Sequence, residues 1–275
     1  MLQFSIVEQV ILAVFLLSGI TFFLYHLLLR LKIVLKGKSD FSVDELPKRI
    51  IRVFDEVILH KKVVSGDRKS AGILHALVMY GFIFFGLITI NHFGMAFGFP
   101  IFSESFRHTY FLIFGAPWAI LCTIGILGLA YRRFVIKPEA LGKFSSTSAL
   151  VSIFIVTLMT TYLIDELHIL SGAAEKFNWW LHSGVIGGFL FLIPQSKHMH
   201  LVLSPFNIFL RPFEVPNHGA IPIDMEASEE ELDNLLLDLS RLSKDQALDI
   251  FTCVECGRCT DCLLYTSPSP RDSCA

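Results

Sequence analysis

Charge is scarce in this sequence and unevenly placed. Asp, Glu, Lys and Arg make up only 17% of its 275 residues, and none of the first 29 residues is Lys or Arg. With 53% hydrophobic residues and 26 Phe, the composition excludes an ordinary soluble domain. A net charge of −2 gives no electrostatic basis for nucleic-acid binding. The missing basic residues also bear on the first apolar run. A secretory signal peptide has a basic leading segment, a short apolar core and a small-residue cleavage site. This N-terminus has no such flanks and its run is too long, so a retained helix is expected.

Long apolar runs are what the chain has instead. Five are long enough to span a bilayer, at residues 6–29, 72–97, 110–131, 149–170 and 178–203. Basic residues set their orientation. The segment between the first two runs holds 11 Lys and Arg, and that between the third and fourth holds Arg132, Arg133, Lys137 and Lys143. The other two connections hold one each, Arg107 and Lys176. The basic connections are expected on the cytoplasmic side, with the N-terminus outside and the C-terminal tail inside. Segment 47–64, PKRIIRVFDEVILHKKVV, carries its apolar residues largely on one helical side. It reads as an amphipathic helix lying on the inner leaflet, with His60 on its solvated polar face.

Histidines mark the ends of the runs. His182 and His200 are 18 residues apart, which is about five turns of a continuous α-helix. On such a helix they would share a face, roughly 27 Å apart along the axis, close to the thickness of the hydrocarbon core. Ionisable groups there are costly and usually functional, and paired imidazoles from facing helices are haem ligands. His75 lies near the cytoplasmic end of the second run, where it can meet His200 or His198. Gly86, 11 residues on, falls near the same face and leaves room either for a flat group or for close helix packing. On the outer side, His182 is grouped with His92, His108 and His168. Asp165, Glu166 and His168 form a polar cluster there, readable as a solvated loop start or as a proton path or quinol site. Cys122, alone in the third run, reads as packing.

Residues 212–227 continue a proline-rich connector. Ser228 with Glu231, and Ser243 with Gln246, form two capping boxes that open helices. They lead to FTCVECGRCTDC, in which Cys253, Cys256 and Cys259 have the C-x2-C-x2-C spacing of a 4Fe-4S run. In a cytoplasmic tail disulfides are disfavoured, which leaves a cluster or zinc. After Asp261 the pattern fails, and residues 262–275 read as a non-native tail on a chain that was naturally longer.

Residues 1–211, with five spans, an outside N-terminus, one histidine on the second span and an 18-residue pair on the fifth, resemble the haem b membrane domain of the respiratory nitrate reductase gamma subunit. IPQSKHMHLVLSPFNIFLR and FTCVECGRCTD are similar to segments of heterodisulfide-reductase-related Fe–S oxidoreductases, in which this domain is fused to a cytoplasmic ferredoxin module. The resemblance implies that His75 and His200 bind the cytoplasmic haem and His182 the outer one. It also implies a prokaryotic cytoplasmic-membrane location. Where the gamma subunit has a second histidine ten residues after the first, this chain has Phe85, so an outer haem would need His92, His108 or His168.

The expected molecule is all-α. A five-helix membrane cytochrome b (1–211) is followed by a linker (212–227) and the start of a 4Fe-4S domain (228–261). It would pass electrons between menaquinone or ubiquinone and a cytoplasmic Fe–S or flavoprotein partner through one haem b, or two. The competing expectation is a non-redox membrane anchor with a zinc-binding tail.

Overall fold

The apolar runs form helices. The computed structural model describes residues 2–37, 44–65, 68–213 and 242–256, and among these there is no strand. The helices are α1 (Ile6–Val34), α2 (Leu46–Val53), α3 (Lys61–Val64), α4 (Lys69–Ala96), α5 (Glu104–Tyr110), α6 (Ala116–Tyr131), α7 (Ser146–Glu166), α8 (Ala173–Leu192), α9 (His200–Leu210) and α10 (Lys244–Thr252). Four helical stretches among the described residues are long and apolar enough to cross a membrane: Ile6–Val34, Lys69–Ala96, Glu104–Ile136 and Ser146–Glu166. The third is continuous only through two five-residue π turns, Phe111–Gly115 and Arg132–Ile136. Apolar side chains point outward on these helices, as Val7, Val14, Ile90, Ile120 and Ile153 illustrate. That is the arrangement a lipid-facing surface requires.

The fifth expected span differs. α8 is a helix, but it is not among those four; Glu175, Lys176, Asn178 and His182 dilute the apolar character of its first half. It also stops short. The chain leaves α8 at Leu192, makes the 3-10 turns Ile193–Gln195 and Lys197–Met199, and re-enters as α9 at His200. Pro194 lacks the N–H that would continue the helix, and Ser196 is extended, with its hydroxyl accepting from the His198 N–H. The expectation that His182 and His200 share one helical face is corrected, because the periodicity argument needs an unbroken helix.

Two units are distinguished. The first comprises Met1–Ile20, Val63–Phe191 and Cys256–Ala275, and the second Thr21–Lys62 and Leu192–Glu255. In the first, α4 and α6 approach through glycines: a Cβ on Gly125 would lie 2.7 Å from the Leu74 carbonyl oxygen. Such closeness is how membrane helices gain contact without a hydrophobic driving force. Cys122 is buried against Gly81, in agreement with a packing role. Leu12, Ala96 and Trp179 form a core with Phe4, Leu16, Phe93 and Trp180 around it. Ser103 and Ser145 cap α5 and α7 by accepting from Phe106 N–H and Ser148 N–H.

In the second unit, Val34, Met199, Leu203, Ala247 and Leu248 form the core. Segment 47–64 is not one helix. It is α2, a π turn at Phe54–Ile58 and the single-turn α3. Ile50, Ile51, Phe54 and Ile58 are exposed as an amphipathic segment demands, while Arg49 is buried. Its guanidinium donates to the Asp44, Phe209 and Arg211 carbonyls, which closes the C-terminal end of α9. His60 corrects the expectation of a solvated residue: it is 5% exposed, with a positive φ of 52° and Nδ1 2.6 Å from the Val57 carbonyl. The Ser243–Gln246 capping box forms as expected and starts α10. The Ser228 box and residues 262–275 lie outside the described residues.

Candidate functional site

Two of the four histidines expected on the outer side come together in the first unit. His92 on α4 and His182 on α8 have ring centroids 5.0 Å apart. Trp179, on α8, stacks on His92 at 4.7 Å and 14°. His92 Nε2 lies 2.9 Å from the Ser183 hydroxyl, which is fully buried. Asn91 beside it accepts from the Ile101 and Phe102 N–H groups, pinning the loop that follows α4. Neither His108 nor His168, the other outer candidates, joins them; both are exposed.

Hydrogen bonding fixes the tautomer of His182. The Thr161 hydroxyl donates to the Thr157 carbonyl at 2.7 Å, so its oxygen is left to accept. His182 Nδ1, at 2.7 Å, is therefore the protonated nitrogen and donates to it. In the neutral ring Nε2 then carries the lone pair. Asn178 supports the arrangement by donating to the Thr161 carbonyl. His200 has the same logic in the second unit: a carbonyl can only accept, so Nδ1–H donates to Lys197 O at 2.9 Å and Nε2 is the unprotonated nitrogen. His198 follows suit through Ser196, whose hydroxyl donates to Ile193 O and lies 3.2 Å from Nδ1. A ligating imidazole commonly shows this bond on its remote nitrogen.

A small cleft is lined by His92, His182, Tyr162, Asp165, Glu166 and Arg107. Arg107 Nη1 lies 3.0 Å from Glu166 Oε1, and the Glu166 side chain is only 8% exposed. Asp165 and Glu166 thus belong to the cleft, whereas His168, in a left-handed conformation with φ 50°, is not among its lining residues. Phe85 also lines it and meets Tyr162 edge-on at 5.0 Å. Sequence reasoning did not single out Tyr162, Thr161, Asn178, Ser183, Trp179 or Arg107 as site residues. Tyr162 carried a signal, lying one helical turn before Asp165 and Glu166; the others reach the site across helices.

The donor sets bear on haem. Metal–imidazole bonds are about 2.0–2.1 Å, which puts the ring centroids of an axial pair roughly 6–7 Å apart. His92 and His182, at 5.0 Å and with His92 Nε2 at the Ser183 hydroxyl, have no room for an iron between them as placed. His75 lies half-buried in the second turn of α4, and His200 presents an unprotonated Nε2, the donor an axial ligand needs. Gly86 has open space on its face, so it serves no close packing there. Cys253 and Cys256 are free, exposed thiols, and Glu255 between them has a left-handed φ of 52°. Cys259 lies outside the described residues. No group of three metal-ligating side chains occurs among the described residues.

No family model and no solved structure matches the chain. It is 31% identical over 272 residues to the probable iron-sulfur-binding oxidoreductase FadF of Bacillus subtilis (strain 168), over 87% of this chain and 37% of that protein. It is 23% identical over 300 residues to the EtfAB:quinone oxidoreductase of Syntrophomonas wolfei subsp. wolfei (strain DSM 2245B / Goettingen), over 92% of this chain and 40% of that protein. The chain spans less than half the length of either relative. Over most of its own length it is related to part of an iron–sulfur oxidoreductase.

Proposed function

We propose that this chain is the membrane electron-transfer part of a quinone-linked iron–sulfur oxidoreductase, in a prokaryotic cytoplasmic membrane with the N-terminus outside and the cysteine tail in the cytoplasm. The observation that carries this reading is the cleft of the first unit. Ionisable groups are expensive beside lipid, yet here His182, Asp165, Glu166 and Arg107 converge at one end of otherwise apolar helices. A quinone is an apolar tail with a polar ring that gains and loses protons, and such a cleft suits its head. His168, exposed beside the cleft, is a proton entry point in this reading.

The electron path runs from the cleft to the tail. One haem b is held by His75 and His200, with His198 the alternative inner ligand, and it would exchange single electrons there. Cys253, Cys256 and Cys259 hold three corners of a 4Fe-4S cluster, whose partner is a cytoplasmic Fe–S or flavoprotein. The name of the Syntrophomonas relative supports the quinone, and that of the Bacillus relative the cluster.

An optical spectrum of the purified protein, with metal analysis of anaerobic preparations, tests the whole. One low-spin haem per chain is expected, lost in both His75→Ala and His200→Ala. Loss in His198→Ala instead of His200→Ala moves the ligand. A haem-free protein carrying only zinc at the cysteines is a membrane anchor, and the proposal fails.

A further inference from the structure

The cysteine loop of the second unit is tied down more firmly than an exposed segment requires. Glu255, just before Cys256, has its side chain 70% exposed, yet its carboxylate accepts from the Lys197 ammonium at 3.1 Å. The Lys197 side chain is only 15% exposed. A lysine drawn in to that degree gives up hydration and side-chain freedom. Lys197 also has a second contact: its carbonyl accepts from the Nδ1–H of His200, which leaves Nε2 free of its proton. The other end of the loop is tied to the same stretch of chain. Asn207, two turns beyond His200 on α9, donates to the Asp249 carboxylate and the Thr252 hydroxyl, both at 2.7 Å. Thr252 adjoins Cys253. Below them Ala247 and Leu248 of α10 share a core with Met199 and Leu203, and Phe251 packs against it. Residues 197–207 therefore carry His198 and His200 and also grip the chain on both sides of Cys253.

We propose that Lys197 is a positioning residue that joins the cysteine loop to the segment bearing His198 and His200. Its side chain fixes Glu255, its carbonyl fixes the His200 ring, and Asn207 fixes the loop's other end. This rests on the reading of His200 and the cysteines as ligands, and it adds the side chains that hold the two ligand sets in register before any metal is bound. A loop that closes on a cluster loses conformational entropy, and one already docked has lost part of it beforehand. The cysteine spacing cannot supply this, because Lys197 is 58 residues from Glu255. An ion pair with one exposed partner adds little to global stability. Its effect is local, in selecting where the loop lies.

The test is the mobility of a nitroxide spin label on Cys253, read by electron paramagnetic resonance of the full chain in detergent. Cys256, Cys259, Cys262 and Cys274 are replaced by serine, and Cys122, which is buried, is left in place. The label in this parent protein is expected to be mostly immobile. Lys197→Gln and Glu255→Gln should each raise the mobile-to-immobile ratio about threefold, and the double variant should go no further than either. Exchanging the pair, Lys197→Glu with Glu255→Lys, should restore the immobile label. Asn207→Ala should raise the ratio about tenfold, the scale of two lost hydrogen bonds. A mobile label in the parent, single effects that add in the double variant, or no rescue by the exchanged pair overturns the inference. The readout needs neither haem nor cluster. A haem-free protein whose label behaves as expected keeps the docking and loses the electron path, and a haem-loaded protein with a mobile label does the reverse.

Discussion

At the scale of single residues, the first unit turns on a few hydroxyls. Thr161 spends its proton on its own helix and offers its oxygen to His182, so one side chain on α7 decides which nitrogen of an α8 imidazole is protonated. Thr161→Val keeps the shape and removes the oxygen. It removes the hydroxyl that accepts from the Nδ1–H of His182, leaving the Leu158 carbonyl as its neighbour, and is expected to cost about 1 kcal/mol in unfolding experiments. Thr161→Ser restores the oxygen and most of the stability. A Val variant as stable as wild type would show that the bond does not set the ring. Arg49 follows the same rule elsewhere: a buried charge persists because three carbonyl oxygens surround its donors.

At the scale of elements, the interruptions place the chemistry. A break at Pro194–Ser196 converts one long helix into two, and the histidine pair loses its common face. The π turn before α6 brings Gly115 to Tyr162. Short α10 depends on its capping box and on its apolar side, with Asn207 of α9 donating to Asp249 and Thr252. Ser243→Ala removes the cap and is expected to cost about 1 kcal/mol. Because α10 ends where the cysteines begin, amide exchange should rise across Lys244–Thr252 and at Cys253 while α4 is unaffected. Unchanged exchange in α10 would show that its core contacts alone hold it.

At the scale of the whole molecule, orientation follows from charge. In the proposed orientation the cytoplasmic connections are those that carry most of the Lys and Arg, and the outer ones are those that carry Arg107 and Lys176. Phe99 and Phe144 are both strongly exposed, on connections assigned to opposite sides. In a background with the tail cysteines replaced by serine, Phe99→Cys should react with a membrane-impermeant maleimide added to intact cells. Phe144→Cys should react only after the membrane is opened. The reverse pattern would invert the topology and put the cysteine tail outside.

The sequence by itself determined the helical class, four of the five apolar spans and the capping of α10, because hydropathy and caps act within a few residues. It also grouped His92 with His182 and Asp165 with Glu166, since charge bias puts them at the same end of their helices. It could not decide that α8 stops at Leu192, because a proline in an apolar run is compatible with a kink or a break, and the surroundings choose. Nor could it find the partners of His182, which are brought by other helices at separations that no periodicity encodes. The burial of Arg49 was likewise decided only in the tertiary structure, where the carbonyl oxygens of Phe209 and Arg211, distant in sequence, accept from it; His60 is buried with a local partner, the Val57 carbonyl, and a left-handed backbone that its sequence does not announce.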